Sequence, residues 1–262
     1  MNLNLSGKNA LVCGSTQGLG LAIAKELSML GANITLMARN EDKLKTVLDE
    51  LERKEGQIHG YLVADFSSSD HVSASIHTAI QSGQIFHILV NNTGGPAGGK
   101  AIDANPTQFL SAFESHLICN QILTQAVVPG MKQSGFGRII NVISTSVKQP
   151  IVGLGVSNTI RAAVANWSKT LSVELAPFGI TVNNVLPGFT QTLRADYIVQ
   201  KKASDSGKTP DEIMSDLVKE IPAGRIGQPE EFGAAVAFLC SPAAGYINGI
   251  NLPVDGGRTG CL

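Results

Sequence analysis

The sequence has few aromatic residues and almost no excess of either charge. Aromatic side chains make up 5% of its 262 residues, and only three of them are tyrosines, Tyr61, Tyr197 and Tyr246. The formal net charge is -1. Because binding to nucleic acid or to an anionic membrane surface depends on clustered positive charge, this balance argues against both classes of partner.

Paired cysteines and long apolar runs are also missing. The four cysteines (Cys13, Cys119, Cys240 and Cys261) are far apart and form no CxxC pair, so the sequence predicts neither a metal site nor a disulfide framework. No run reaches the roughly 18 apolar residues that a membrane span needs. The polar segment Met1–Lys8 lacks the features of a signal peptide, so we expect a cytoplasmic protein.

What the sequence does contain is an alternation of short apolar runs with longer amphipathic ones. The short runs are rich in Val, Ile and Leu, which is typical of parallel strands buried on both faces. The predicted strands are Asn9–Cys13, Asn33–Ala38, Gln57–Ala64, Phe86–Asn91, Arg138–Ile143, Thr181–Leu186 and Gly249–Pro253. The predicted helices are Gly18–Leu30, Glu41–Lys54, Ser69–Ser82, Pro106–Gln133, Leu154–Pro177 and Pro229–Cys240. This order predicts one α/β domain over residues 1–262, a Rossmann-type doubly wound sheet of about seven parallel strands with helices on both faces.

One segment departs from this order. Thr190–Lys219 is polar and is long for a connection inside a compact domain, where such insertions are usually functional or disordered. We expect it to be irregular, with a short helical stretch at its end. It would lie over the carboxyl edge of the sheet, where ligands bind, and act as a substrate lid.

A glycine-rich turn between the first strand and the first helix is the first functional signal. Its residues are Gly14, Ser15, Thr16, Gln17, Gly18, Leu19 and Gly20. Glycines let the backbone approach a pyrophosphate, and the helix N-terminus offers free N–H groups and a positive dipole end. A plain strand-to-helix turn has the same glycines, but the strand before it and the helix after it favour a dinucleotide site.

The ends of the next three strands agree with such a site. Arg39 follows the second strand, where an acidic residue would bind the ribose 2′-hydroxyl of NAD and an arginine favours the 2′-phosphate of NADP. Asp65 ends the third strand, where its carboxylate can accept from the adenine amino group. Asn91–Gly94 ends the fourth strand at the same edge. We therefore predict NADP(H) as the cofactor, with NAD(H) as the alternative.

These segments resemble the short-chain dehydrogenase/reductase family along essentially the whole chain. The matching blocks, in the family's order, are Gly14–Gly20, the Asp65 turn, Asn91–Gly94, Gly137–Ser144, Asn183–Gly188 and Ile221–Gly257. The general likeness is to the 3-oxoacyl-[acyl-carrier-protein] reductases. The cofactor contacts expected outside the glycine turn are Arg39, Asn40, Ala64, Asp65, Phe66, Asn92, Thr93, Gly94, Arg161, Pro187, Gly188 and Thr190.

The resemblance implies a catalytic Asn–Ser–Tyr–Lys tetrad, and only its serine, Ser144, is retained. The tyrosine position holds Ser157, the lysine position Arg161 and the asparagine position His116. An aliphatic hydroxyl is a far weaker acid than a phenol of pKa about 10, and arginine stays protonated in proteins. Ser157 and Arg161 still share a helical face, so Arg161 can hold the ribose and polarise Ser157 or the substrate oxygen. This Ser-x-x-x-Arg pattern resembles a divergent, reductase-like subgroup.

Three residues are candidates for the group that exchanges a proton with the substrate oxygen in place of the tyrosine. His116 is a candidate acid or base, or it merely fills the hydrogen-bonding place of the asparagine. Lys148, in the loop after the fifth strand, can donate to a substrate oxygen or bind an acidic substrate, or it is a solvated loop lysine. Tyr197, in the predicted lid, either reaches the site or packs the lid shut.

These residues support three candidate functions. The leading one is an NADPH-dependent oxidoreductase that acts on the carbonyl or alcohol of a small molecule or acyl thioester. The lost Tyr–Lys pair also fits a catalytically silent NADP(H)-binding sensor. A lyase or dehalogenase without hydride transfer is the third, and the intact cofactor block counts against it. The resemblance further implies a homodimer or homotetramer, paired through the long helices and the C-terminal strand.

Overall fold

Seven parallel strands form one sheet at the centre of the structure, a computed structural model that describes residues 1–261. The strands are β1 (Asn9–Cys13), β2 (Asn33–Ala38), β3 (Gly60–Val63), β4 (Ile88–Asn91), β5 (Gly137–Val142), β6 (Ile180–Pro187) and β7 (Asn251–Val254). Their order is β3-β2-β1-β4-β5-β6-β7, and every neighbouring pair is parallel. The predicted doubly wound sheet is confirmed; residue 262 of the predicted domain lies outside the described part. The strand order reverses between β1 and β4, the position where such sheets bind ligands.

Helices cover both faces of this sheet. They are α1 (Gly18–Met29), α2 (Glu41–Glu50), α3 (Ser69–Gln81), α4 (Pro106–Phe113), α5 (Cys119–Ser134), α6 (Gly155–Leu175), α7 (Leu193–Ser206), α8 (Pro210–Lys219) and α9 (Pro229–Cys240). None of the helices within residues 1–261 combines the length and the apolar character that a membrane crossing requires.

The hydrophobic core has two layers, one on each side of the sheet. Along β1, Val12 belongs to the layer that contains Ile23 of α1, whereas its neighbour Leu11 belongs to the layer that contains Leu123 of α5. Successive side chains of a strand point to opposite faces, so residues 10–13 of β1 are apolar and fully buried on both faces. This explains why the strand sequences show little alternation of apolar and polar residues.

Four asparagines form a ladder of side-chain hydrogen bonds across the carboxyl-terminal half of the sheet. Asn91 of β4 donates to Asn141 of β5 at 2.8 Å, and Asn141 donates to Asn184 of β6 at 3.0 Å. Asn184 in turn donates to Asn251 of β7 at 2.8 Å. The same four residues are register partners in the backbone pairing. The ladder therefore pairs amides of neighbouring strands, and the Asn91 side-chain oxygen at its end is buried without a partner in the part of the chain that the structure describes.

The segment from 190 to 219 is helical, and the expectation of an irregular insertion was wrong. Thr192 caps α7 by accepting from the N–H of Ala195, and Thr209 forms a capping box with Glu212 at the start of α8. Val199 and Leu217 belong to a small apolar cluster that joins the two helices. These helices form because they bury this cluster together. This is a tertiary effect, and the largely polar sequence of the segment does not indicate it.

The long helix expected over Pro106–Gln133 is interrupted by a π-helical turn, Glu114–Ile118, between α4 and α5. Glu114 in this turn accepts from the backbone N–H of Ser69 at 3.1 Å, which ties the turn to the start of α3. His116 lies inside the turn and is only 2% exposed. Such single π turns occur often at functional sites, where they redirect one side chain.

Candidate active site

The glycine turn after β1 folds so tightly that only hydrogen atoms fit on its inner side. Gly14 and Gly18 have φ angles of 56° and 54°, a region that favours glycine. A Cβ atom on Gly20 would overlap the carbonyl oxygen of Gly14, and one on Gly14 would lie 2.7 Å from the backbone oxygen of Asn92. The Asn92 amide holds the turn by donating to the carbonyl oxygens of Cys13 and Gly14, at 3.2 and 3.3 Å.

A cavity of about 380 Å³ opens beside this turn, at the carboxyl ends of β1, β4, β5 and β6. The predicted residues that line it are Gly14, Gln17, Gly18, Leu19, Gly20, Asn92, Thr93, Gly94, Arg161, Pro187, Gly188 and Thr190. We call it the main cavity. Gly95, Thr192 and Arg194 also line it and were missed from the sequence. Gly95 follows Gly94 directly, and Thr192 and Arg194 lie two and four residues after Thr190, so extending the two predicted segments by a few residues would have included them.

Three residues of the predicted cofactor set line neither the main cavity nor the depression at the ends of β2 and β3 described below. Ser15 is fully buried, and its hydroxyl accepts from the backbone N–H of Met37 at 3.1 Å, so its side chain ties the turn to β2. Thr16 is half-buried next to it. Phe66 is 8% exposed and packs in the core layer of α3. Because both side chains point into the protein, Ser15 and Phe66 offer a cofactor their backbone groups, and their place in the cofactor set stays a prediction.

A second depression, of about 810 Å³, lies at the ends of β2 and β3. The predicted residues Arg39, Asn40, Ala64 and Asp65 line it. Its far wall is formed by His71, Ser75 and Thr78 of α3, which the sequence reasoning missed. Their i, i+4, i+7 spacing on a predicted helix was the available signal, because such residues share one face.

Asp65 carries a negative charge at the border of this depression. The backbone N–H of Ser67 donates to its carboxylate at 2.9 Å and lowers the pKa of Asp65, with smaller contributions from the charges of Arg39 and His71. Asp65 is therefore an acceptor at neutral pH, as the contact with an adenine amino group requires. Arg39 is exposed beside it and free to meet a phosphate.

Arg161 and Ser144, at two of the tetrad positions, lie at the end of β5, and of the two only Arg161 lines the main cavity. Arg161 of α6 donates from Nη1 to the backbone oxygen of Val142 at 2.7 Å, two residues before Ser144. Ser144 is half-buried, and its hydroxyl accepts from the N–H of Ser146 at 3.0 Å. Ser157 is half-buried near the start of α6.

Lys148 ends the short 3-10 turn Thr145–Val147 that follows Ser144. It is half-buried, and its carbonyl oxygen accepts from the Cys261 thiol at 3.6 Å. The structure thus places Lys148 one helical turn beyond Ser144, outside the residues that line the main cavity. Its role in catalysis stays a prediction.

Arg161 is a buried cation. It is 8% exposed, and burial lowers its pKa to about 10, which leaves it charged at neutral pH. No carboxylate among residues 1–261 lies within ion-pair distance of it. A permanent charge of this kind, held at a cavity wall, is suited to stabilise negative charge on a bound ligand.

His116 lines a smaller cavity of about 310 Å³ between α4 and α6. Gly94 lines both this cavity and the main cavity. Burial, with a further contribution from the charge of Arg161, lowers the pKa of His116 to about 3. The ring is therefore neutral at pH 7. The neutral ring is a weak base and holds no imidazolium proton to give, but it can relay a proton by accepting at one nitrogen while donating from the other.

Tyr197 does not enter the main cavity. Its side chain is on the surface of α7, 57% exposed, with the Arg194 guanidinium 5.6 Å from the ring centre. Arg194 donates to the backbone oxygen of Pro96 at 3.4 Å, which connects α7 to the loop after β4. Tyr197 therefore packs against Arg194, which contacts the loop after β4, and does not place its phenol in the main cavity.

Comparison with known proteins places this arrangement in a family. The sequence model of a family described as Enoyl-(Acyl carrier protein) reductase matches residues 14–259. The chain belongs to the short-chain dehydrogenase/reductase family. Two relatives in this family are the NADPH-dependent reductase BacG of Bacillus subtilis and the 7alpha-hydroxysteroid dehydrogenase of Escherichia coli. BacG is 31% identical over 255 residues, 97% of this chain and 98% of the relative. The dehydrogenase is 32% identical over 256 residues, 98% of this chain and 96% of the relative.

Solved structures in the family agree. The L-sorbose reductase from Gluconobacter frateurii, complexed with NADPH and L-sorbose, superposes with a TM-score of 0.93 over 100% of both chains, at 31% identity. The actinorhodin polyketide ketoreductase variant with NADPH superposes with a TM-score of 0.89 over 97% of both chains, at 32% identity.

The residues present in this short-chain dehydrogenase/reductase fit a dinucleotide. The tight glycine turn brings the chain to the α1 N-terminus, where no side chain of the described residues caps the helix, so its first backbone N–H groups are free for a pyrophosphate. Arg39, in the depression at the ends of β2 and β3, offers a charge for a 2′-phosphate. Arg161 lies in the main cavity, toward the opposite side of the sheet. The donor set therefore matches NADP from its adenosine end to its nicotinamide end.

Proposed function

We propose that the protein is an NADPH-dependent oxidoreductase that interconverts a carbonyl and an alcohol on a small molecule or an acyl thioester. The observation that carries this is one cavity that joins the glycine turn to Arg161 at the end of β5. The names of the relatives, reductases and a dehydrogenase that include an NADPH-dependent one, support the same reaction class.

In this proposal Ser144 and Arg161 hold the substrate oxygen. When bound, the nicotinamide ring supplies or takes up the hydride. The Arg161 guanidinium stabilises the negative charge that develops on the oxygen, and the Ser144 hydroxyl donates a hydrogen bond to it. Because His116 is neutral at pH 7, the proton comes from water or from Lys148, with His116 as a relay.

Replacing Ser144 by alanine tests this mechanism. We expect kcat/KM for a 3-oxoacyl thioester or a ketone to fall about 100-fold, because one donor to the reacting oxygen is lost. NADPH affinity, measured by its fluorescence, should be unchanged. Thr159→Ala is the matched control, since Thr159 is an exposed hydroxyl of α6 that bonds only to its own helix. Full activity in Ser144→Ala would contradict the mechanism, and tight NADPH binding with no turnover of any carbonyl tested would indicate a silent sensor.

Arg39 is expected to select NADPH over NADH. Replacing it by serine removes a charge-assisted contact worth about 2 kcal/mol, so KM for NADPH should rise about 30-fold while KM for NADH stays the same. Arg53→Ser, an exposed arginine outside the depression, controls for the loss of one positive charge. Equal changes for both cofactors, or for both variants, would remove Arg39 from the cofactor site. The measurement is the ratio of kcat/KM values for the two cofactors.

We further propose a homodimer or homotetramer in the cytoplasm. Apolar side chains are exposed on the helices expected to pair, with Leu110 66% and Val173 68% exposed. Exposed apolar side chains on these two helices support an interface between subunits. All four cysteines are free, as is typical of a reducing compartment. Light scattering should give two or four times the chain mass, and Leu110→Glu with Val173→Glu should lower it; a monomer in the wild type would contradict the proposal.

A further inference from the structure

The structure buries two arginines, and their surroundings differ sharply. Arg138, at the start of β5, is 4% exposed. Its guanidinium donates to the backbone oxygens of Gly137, Gly179 and Ser241 and lies 4.2 Å from the ring centre of Phe136. Carbonyl dipoles and an aromatic face therefore replace the water that this cation loses on burial.

Arg161 has almost none of this compensation. A guanidinium carries five N–H donors, and among the described residues the Arg161 side chain finds one acceptor, the backbone oxygen of Val142. Nη2 points toward the loop after β4, where it would lie 3.8 Å from a Cβ placed on Gly95. Nη2, which has no acceptor within residues 1–261, thus faces a residue that lines the main cavity.

The residues that line the main cavity supply no negative charge. They include a second cation, Arg194, and no aspartate or glutamate. His116, the other titratable group that faces Arg161, is neutral at pH 7. Burying a cation without a counter-charge is among the most costly arrangements in a protein, so a counter-charge is expected from whatever binds there.

The pyrophosphate of the cofactor is too far away to be that counter-charge. Its cradle follows β1, whereas Arg161 is held at the end of β5. Strand β4 lies between them, so the two ends are about 10 Å apart at the ordinary spacing of strands. At that distance a pyrophosphate held by the glycine turn does not reach Arg161, so the two bind different groups.

We propose that Arg161 pairs with a carboxylate of the substrate. This inference rests on the proposed function and narrows its substrate class to oxo acids and their hydroxy acids. Because the same guanidinium also holds the reacting oxygen, the carboxylate must lie within one or two bonds of the carbonyl carbon, as in 2-oxo and 3-oxo acids. A planar fork with several free donors can bind both groups side by side.

A binding measurement with malonate and malonamide tests the pairing without turnover. The two probes have the same size and differ in charge. We expect calorimetry at saturating NADP⁺ to show malonate binding at least tenfold more tightly than malonamide to the wild type. Arg161→Gln should remove that difference, and Arg161→Lys should keep part of it. The wild-type comparison needs no variant, so it decides the question even if Arg161→Gln does not fold.

Several outcomes would overturn the inference. Equal binding of the two probes to the wild type is one. A preference for malonate that persists in Arg161→Gln and disappears in Arg194→Gln would move the anion site to α7. A loss of NADP⁺ affinity in Arg161→Gln as large as the loss for malonate would assign the charge to the cofactor.

Turnover separates this inference from the proposed function. We expect 3-oxobutanoate to be reduced with a kcat/KM at least tenfold above that of its ethyl ester. Faster reduction of the ester would overturn the carboxylate pairing and leave the oxidoreductase standing. Absence of NADPH binding would defeat the proposed function, while the malonate comparison, repeated without NADP⁺, would still decide the role of Arg161.

Discussion

Replacing Gly20 by alanine is expected to weaken NADPH binding more than 100-fold. The added methyl group would overlap the backbone oxygen of Gly14 and lie 2.7 Å from the amide nitrogen of Asn92. Neither neighbour is the end of a flexible side chain, because the Asn92 amide is itself held by two carbonyl oxygens. The turn must therefore open, and overpacking of this kind costs about 3 kcal/mol, which corresponds to a factor above 100 in affinity.

Fluorescence titration with NADPH and a thermal melt of each variant measure this effect. Gly60→Ala is the matched control, because Gly60 is in β3, has no positive φ angle, and would place its added methyl group in open space with nothing within 4 Å. It should bind NADPH like the wild type. If Gly20→Ala melts as the wild type does and binds NADPH within threefold of it, the turn is not the pyrophosphate cradle.

The second large effect is on stability in mild acid, and it comes from His116. In the folded protein its pKa is about 3, whereas in the unfolded chain it returns to about 6.5. Between these values the unfolded chain binds a proton that the folded protein does not, so stability falls as the pH drops below 6.5 and is unaffected above it. At pH 5 the loss from this one group amounts to about 2 kcal/mol.

Replacing His116 by asparagine should remove this loss. Urea unfolding of the wild type and of His116→Asn at pH 7.5 and at pH 5 measures it, and the quantity of interest is the change between the two pH values. Burial also lowers the pKa of His59 and His87, so both proteins lose some stability in acid. Those contributions cancel between wild type and variant. An equal loss in both would mean that His116 is accessible to protons in the folded state.

Local sequence signals predicted much of the fold. The bounds of β1 and β2 agree with the predicted strands to the residue, because each is a short apolar run between polar turns. The parallel order then brought the glycine turn, Asn92 and Arg161 to one edge, since the carboxyl ends of parallel strands meet there. Topology alone thus placed residues that are far apart in the chain around one cavity.

The parts that the sequence did not predict depend on tertiary contacts. The helices α7 and α8 form around a shared apolar cluster, and a π turn inserts one residue into a helical repeat that otherwise continues unchanged. The pKa of His116 follows from that turn, because it buries the ring beside Arg161. A histidine with an ordinary pKa was the reasonable starting point, and only packing changes it.

The asparagine ladder across β4, β5, β6 and β7 has a consequence for how accurately the site is built. A slip of one residue in any of these strands would turn its asparagine to the opposite face and break the amide bonds on both sides. Three of the four asparagines also stand a fixed number of residues before a group that lines the main cavity: Asn91 precedes Asn92 directly, Asn141 precedes Ile143 by two, and Asn184 precedes Pro187 by three. The ladder therefore fixes the register of these strands. Because the register is fixed, the strands end at set positions, and so do the residues after them that meet cofactor and substrate.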